Sequence, residues 1–408
     1  MHFHYAVAIW GEVYIEQFLG SALPTLMAPG NLPAFADRFP ISLLLYTAPQ
    51  FAERLERAPA MRRAAREIEV EVVACDKVDL GHPHLTMSAF LKLALKRARD
   101  DGAGIIMQNA DSYWGDGSFA YVAELIAAGH EAILCMAFRA ARQSFVPALL
   151  DASPPRDHAI SVSPQDLIRL GLSHLHPYHG AAFWDGEWFN SSPTNFMWPV
   201  AGAGVVHRAM HMVPLVRVPS DHLVEFEGEI DSDYVQDAYG DLGDCHIITE
   251  NDRLALVEGT ALYDYLDKIE PASKPDSLEV AWFMRRLGGH LPFGGRMLAT
   301  PFCHRFGNGD RAAWRRAKRD SRRVADELIT SARALAASDL LDEAGAGLSA
   351  RVLATALRVT EIASGPLARG LVTAFAPTGA EPDAPDRVIL ERLFAPGEED
   401  ALSEAILG

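Results

Sequence analysis

Short apolar runs alternate with stretches at helical spacing through the first third of the chain. Tyr5–Trp10 is a compact apolar run stopped by Gly11, and Val13–Met27 then carries a helical pattern into the breaker Ala28-Pro29-Gly30. Ile41–Tyr46 is a second buried run, followed at Gln50–Arg66 by another helical stretch. Ile68–Ala74 alternates acidic and apolar residues, as a strand with one wetter face does. A helix over Thr86–Arg99 leads to the apolar run Gly104–Gln108, which empties into Asn109-Ala110-Asp111 and then into Ser118–Ile126 at helical spacing. Glu131–Met136 completes the series as a fifth strand. Such alternation predicts βαβ units and an α/β, doubly wound, mostly parallel sheet.

Beyond Asp151 the rhythm changes. After a turn-rich break, a short helix is expected over Asp166–Leu175. Two aromatic clusters follow, around Trp184 and Trp188 and around Phe196 and Trp198, with Asp185-Gly186 as a hairpin signal. Gly204–Val218 reads as one strand, in which His207 and His211 would share a face. Glu225–Asp241 is rich in carboxylates, and from about Ser277 the pattern is helical. The chain therefore divides into an α/β half (1–150), a second half of the same domain (151–260) and a helical C-terminal region (261–408).

Length, 408 residues, suits two or three units of ordinary domain size, and 49% hydrophobic with 22% charged residues is a globular composition. A net charge of −17, from 37 Lys+Arg against 54 Asp+Glu, argues against a nucleic-acid partner. Four scattered cysteines without a CxxC pair fit cytoplasmic usage. No apolar run approaches the ~18 residues of a membrane span, and the N-terminus has no basic lead of a signal peptide. A soluble cytoplasmic protein is expected.

Ligands of open α/β sheets bind beyond the carboxyl ends of the strands, so Asp111 and Asp116 stand where a cation and a diphosphate would be held. Asp116 also suits the N-terminus of the helix that follows it. His174, His176 and His179 carry imidazoles, but Pro177 and the lack of a fourth ligand at zinc spacing favour loop histidines over a zinc site. Arg208 stands where HExxH would require glutamate, so His207 and His211 are no zincin motif. Trp184, Trp188 and Trp198, with Asn195, could form a sugar-binding wall; a packed aromatic core is equally compatible. Seven basic residues between Arg311 and Arg323 are spread around a helix, as a solvated face against an acidic body would be. No GxSxG elbow, Walker A sequence or GxGxxG turn is present, which disfavours serine hydrolases, P-loop kinases and dinucleotide enzymes.

Over roughly residues 4 to 260 the order of elements resembles a nucleotide-sugar glycosyltransferase of the GT-A fold. The strand ends Trp10-Gly11-Glu12 and Tyr46-Thr47 correspond to those that cradle the nucleotide, and Asn109-Ala110-Asp111 to the Asp-x-Asp motif. The resemblance implies a nucleotide-sugar donor, a divalent cation (Mn²⁺ or Mg²⁺) at Asp111 aided by His207 or His211, and a glycan, lipid or protein hydroxyl as acceptor. It also implies a base in Glu229–Asp233, with Asp233 or Asp231 as the carboxylate. Asn109 departs from the motif: its amide oxygen can ligate a hard cation but adds no charge. That departure keeps a non-catalytic nucleotide-sugar-binding relative in view, while the acidic, glycine-poor Gly11–Tyr14 turn favours a transferase over a sugar nucleotidyltransferase. The sequence leaves open whether the C-terminal helices serve homo-oligomerisation, acceptor docking or only stability.

Overall fold

The computed structural model describes residues 1–76, 82–190, 193–217, 234, 237–238, 242–271, 277–286 and 292–343. The expected doubly wound, mostly parallel sheet is present. Its strands are β1 (Phe3–Ala8), β2 (Ile41–Thr47), β3 (Glu69–Ala74) and β4 (Gly104–Asn109). After β5 (Ser112–Trp114) come β6 (Ala132–Cys135), β7 (Phe138–Ala141), β8 (Trp188–Asn190), β9 (Asn195–Val200) and β10 (Gly204–Ala209). The series closes with β11 (Val213–Arg217), β12 (Cys245–Ile247), β13 (Leu256–Thr260), β14 (Ile269–Pro271) and β15 (Phe302–Arg305).

Seven strands form the main sheet in the order β12-β6-β11-β4-β1-β2-β3. β11 alone runs antiparallel to its neighbours there, so the sheet draws on both halves of the chain. Period-2 alternation sorts its residues: Tyr5, Val7, Leu43, Leu45 and Ile106 enter one core, while Ala6, Ala8, Leu44, Ile105 and Met107 enter the other. Burial on both faces is why these strands read as unbroken apolar runs. Register demands one glycine: Gly104 lies opposite Phe3, whose ring would meet an added Cβ at 2.3 Å.

Two smaller sheets pack beside it, β5-β13-β7 and β15-β10-β9. The second carries a third core, where Trp184, Phe196, Trp198 and Val206 meet Val280, Leu298, Trp314 and Leu328 of the C-terminal helices. The C-terminal region is helical as expected, with one strand, β15, between Pro292–Ala299 and Arg311–Glu343. Two expectations are corrected. Gly204–Val218 is not one strand, because the chain leaves the β15-β10-β9 sheet after Ala209 and enters the main sheet at Val213. The Asp185-Gly186 turn forms, with Gly186 N–H donating to Phe183 O at 2.9 Å, but β8 then pairs with β14 instead of folding back as a hairpin.

Among the described residues no helix is long and apolar enough to cross a membrane. All four cysteines are free thiols. The basic helix pairs with the body: Lys318 meets Glu250 at 2.9 Å, and Glu250 also binds Arg305.

Arg208 ties the C-terminal helices to β10. It is 2% exposed, and its guanidinium donates to Ser321 Oγ at 2.8 Å and to Leu298 O at 3.0 Å, with Ala299 O as a further acceptor. Those carbonyls are the unpaired C-terminal end of the helix Pro292–Ala299, where a cation is favourable. Burial nevertheless pulls the guanidinium pKa down to about 10. Arg208→Ala should cost about 3 kcal/mol in urea unfolding; a loss below about 0.5 kcal/mol, the size of a neutral surface change, would show that Arg208 does not join these layers.

Candidate functional site

β4 ends at Asn109, and Ala110-Asp111 turns the chain into β5. β5 pairs antiparallel with β13, placing Glu258 opposite Ser112, and Gly259 N–H donates to Asp111 O at 2.9 Å. β13 also pairs parallel with β7, which sets Glu258 against Arg139. One small sheet thus gathers three charges at the carboxyl end of β4. Close approach is required, because a Cβ on Gly259 would meet Gln17 Nε2 and the Tyr113 ring at 2.7 Å.

Arg139 Nε donates to Glu258 Oε2 at 3.2 Å, and its guanidinium lies 4.5 Å from the Tyr265 ring centroid. Burial opposes that charge, yet Glu258, Tyr265 and Tyr178 hold Arg139 firmly protonated, above its ordinary range. Asp111 has no ion-pair partner within 4 Å among the described residues, because the neighbouring cation belongs to Glu258. Burial and the negative charge of Glu258 push the Asp111 carboxyl up to about 7, with Arg139 opposing. Tyr14 is pushed up to about 12 by burial together with Asp111 and Asp264.

These groups line a cleft of about 200 Å³ whose wall also includes Trp10, Asn109 and Thr260. Asn109, Asp111, Glu258 and Asp264 supply oxygen donors, the ligand type of Mg²⁺ or Mn²⁺. Among the described residues no three His, Cys, Asp or Glu side chains converge as a complete metal group. The set fits a cation held by one or two carboxylates together with substrate phosphates and water, not a closed protein cage.

The remaining sequence candidates are dispersed. Trp10 lines the cleft; Gly11, Glu12 and Thr47 do not. Gly11, at φ 78°, turns the chain into a helix whose Glu12 pairs with Arg54. Thr47 is fully buried and its hydroxyl has no partner among the described residues. Asp116 faces away: its carboxylate accepts Gly30 N–H at 2.7 Å and the Ser161 hydroxyl, a clamp between loops. Asp231 and Asp233 lie outside the described residues.

His207 and His211 do not share a face, because the strand ends between them. His207 is fully buried, with its Nε2 at 2.8 Å from Asn195 Oδ1 and its Nδ1 at 3.2 Å from His304 Nε2. Those bonds occupy both nitrogens and leave none for a metal. His211 instead lines a smaller pocket beside the cleft, where burial and Arg139 lower its pKa to about 4, Glu258 opposing. The histidines of the 174–179 segment serve separately. His176 caps its own turn at Tyr178 N and bonds Ala261 O, while His179 accepts Arg139 N–H at 3.3 Å.

Trp184 and Trp198 cannot form the expected wall, being 5% and 6% exposed and stacked on each other at 6.2 Å between centroids. Trp188 keeps a free face at 53% exposure. Asn195 uses its oxygen on His207 and its NH₂ on Thr194 Oγ1 at 2.9 Å.

Sequence reasoning missed Arg139, Glu258 and Tyr265, whereas His179 was among the loop histidines it singled out. The available signal was a lone charge inside an apolar run, as in Phe138-Arg139-Ala140 and Val257-Glu258-Gly259, which a purely structural strand would avoid.

No family model matches the chain, and no curated protein matches it. Among solved structures it is similar to the mannosyltransferase PcManGT of Pyrobaculum calidifontis, solved with GDP-Man and Mn²⁺. Identity there is 13% over 91% of this chain and 83% of that one, with a TM-score of 0.36. A putative glucose-1-phosphate thymidylyltransferase from Bacillus anthracis, solved with sucrose, aligns at 10% identity over 36% of this chain and 57% of that one, TM-score 0.22. A mannose-1-phosphate geranyltransferase from Thermus thermophilus aligns at 15% over 54% and 50% of the two chains, TM-score 0.23. None reaches a TM-score of 0.5, and the functional reading below rests on the chain's own geometry.

Because the folded pKa of Asp111, about 7, lies above its unfolded value, the native state binds the extra proton. Its contribution to stability is complete below the unfolded pKa of ~4 and is lost as pH rises through about 7. Urea midpoints at pH 5 and pH 8 should therefore fall further for the unaltered protein than for Asp111→Asn. Equal falls would show that Asp111 ionises without penalty.

Proposed function

We propose that the cleft binds a nucleoside diphosphate-sugar and that the protein transfers the sugar to a hydroxyl acceptor. The observation that carries this reading is the Asp111 carboxyl, without an ion-pair partner within 4 Å among the described residues, beside the Arg139–Glu258 pair at the carboxyl end of β4. Asp111 and Glu258 face one arginine at ion-pair distance, with Arg142 acting more weakly, and a divalent cation would neutralise the remaining negative charge. Asp111 and Asn109, with Glu258 adjacent, would hold Mn²⁺ or Mg²⁺ together with the diphosphate oxygens. When bound, that cation offsets the charge that develops on the diphosphate leaving group. Trp10 and Tyr14 supply ring faces for the nucleotide at the same mouth.

Transfer breaks the sugar C1–O bond to the diphosphate, forms a C1–O bond to the acceptor, and removes the acceptor's hydroxyl proton. Asp233 is our candidate for that base and Asp231 its alternate. Exposed Trp188 is the candidate platform for a glycan, lipid or protein acceptor. Asn109, an uncharged residue at the first position of the motif, supports a second reading, a relative that binds nucleotide-sugars without turning them over.

Calorimetry with UDP and GDP, each with and without MnCl₂, tests the first reading. We expect Mn²⁺ to tighten binding of one nucleotide at least ~10-fold, about 1.4 kcal/mol, and Asp111→Ala to abolish that gain. No nucleotide binding under either condition overturns both readings. Binding of a nucleotide-hexose without its hydrolysis or transfer selects the non-catalytic one.

A further inference from the structure

Beside the cleft lies the smaller pocket of about 90 Å³, which shares Asn109, Arg139 and Glu258 with it as a common wall. Alone it has room for roughly three waters; with the cleft it approaches the lower end of ligand sites, about 300 Å³. Its lining comes from separate elements: the end of β4, the start of β7, the turn Pro177–Gly180 and the start of β9.

Two of its residues carry buried polar atoms with no hydrogen-bond partner among the described residues, His179 Nε2 and Gln108 Nε2, each residue being 4% exposed. The character of the histidine atom follows from its other nitrogen. Nδ1 accepts the Arg139 backbone N–H at 3.3 Å, so the single proton of the neutral ring sits on Nε2. Burial, then Arg139, hold the ring well below its ordinary pKa, which keeps it neutral. Gln108 uses its carbonyl oxygen on Ser112 Oγ at 3.4 Å, which leaves its NH₂ free. Both orphans are therefore neutral donors. A buried donor left unpaired costs ~1–3 kcal/mol, and two that converge on one pocket are satisfied by whatever fills it, water or the oxygen atoms of a ligand.

The partner must offer oxygen acceptors and carry no negative charge of its own. Arg139 is the cation at this wall, and it is already matched by Glu258 at 3.2 Å, with the Asp111 carboxyl beside them. Among the described residues an incoming carboxylate would meet Glu258 in the wall, Asp111 in the adjoining cleft, and as its cation only the already paired Arg139. Hydroxyls suit the wall better, since each both accepts and donates, and the Tyr178 and Thr194 hydroxyls, 3.2 Å apart, line the same space. We infer that this pocket receives the sugar of the donor, a neutral hexose-type ring, with His179 Nε2–H donating to one of its hydroxyl oxygens. The inference rests on the nucleotide-sugar reading above and adds the class of sugar to it. His179 is then a binding residue that separates a nucleotide-hexose from its bare nucleotide.

The test is calorimetry on the full chain with MnCl₂, using UDP, UDP-glucose and UDP-glucuronate, and in parallel GDP and GDP-mannose. We expect the hexose derivative to bind more tightly than its nucleoside diphosphate. That advantage should fall about tenfold in His179→Phe and return in His179→Gln, whose amide N–H reaches the same place. Affinity for the bare diphosphate should stay the same in both variants, which also reports that they are folded. UDP-glucuronate should bind at least tenfold more weakly than UDP-glucose wherever UDP binds. Should His179→Phe not fold, Gln108→Leu should reduce the hexose advantage in the same direction. An advantage that is absent in the unaltered protein, or unchanged in the variants, overturns the sugar pocket while leaving the nucleotide site standing, and a preference for the glucuronate overturns the neutral-ring assignment. Failure of every nucleotide to bind overturns the underlying reading, and the pocket with it.

Discussion

The ion pair between Arg139 and Glu258, at 3.2 Å across two neighbouring strands, sets the terms for everything around it. Taking a carboxylate and a guanidinium out of water is costly unless each finds the other in good geometry. Here strand register provides that geometry, since β7 and β13 lie side by side with these two residues as direct partners. The pair engages Arg139, so among the described residues Asp111 is left without an ion-pair partner within 4 Å; burial and Glu258 raise its carboxyl to about 7, against the weaker pull of Arg139 and Arg142. A site prepared in this way favours a group that brings positive charge to Asp111, which is the ground for proposing a cation carried with a diphosphate there.

The second sheet answers a different problem, how to keep a polar pocket wall in place without charges. His304 and His207 meet across β15 and β10, His207 meets Asn195 on β9, and Asn195 leads through Thr194 to Tyr178 at the pocket. Burial keeps these histidines unprotonated: His304 falls to about 4, and His207 lies well below its ordinary value. A chain of neutral hydrogen bonds rigidifies the wall, since removing any one member leaves a buried group unpaired. His207, a metal-ligand candidate in the sequence, therefore behaves as a support in the fold.

How far the sequence could be read depends on the range of the forces involved. Strand–helix alternation and the position of Asn109-Ala110-Asp111 at a strand end were legible because burial on both faces of a parallel sheet leaves contiguous apolar runs. Trp184 and Trp198 were ambiguous, because an aromatic cluster serves a core and a sugar platform equally well by composition; packing against the C-terminal helices decided for the core. Asp116 was misplaced for a related reason. Helix starts and diphosphate loops both favour aspartate, and only Gly30 and Ser161, brought in from distant segments, show that Asp116 serves neither and clamps two loops instead.

By itself, then, the sequence determined the α/β class, the order of the first strands and the point where the main cleft opens. Those features follow from local periodicity and chain punctuation. Tertiary structure decided which charges share that cleft. Arg139 and Glu258 are 119 residues apart, and no local pattern marks them as partners. Only the pairing of β13 with both β5 and β7 brings them to Asp111, and with them the surplus of negative charge that gives the site its chemistry.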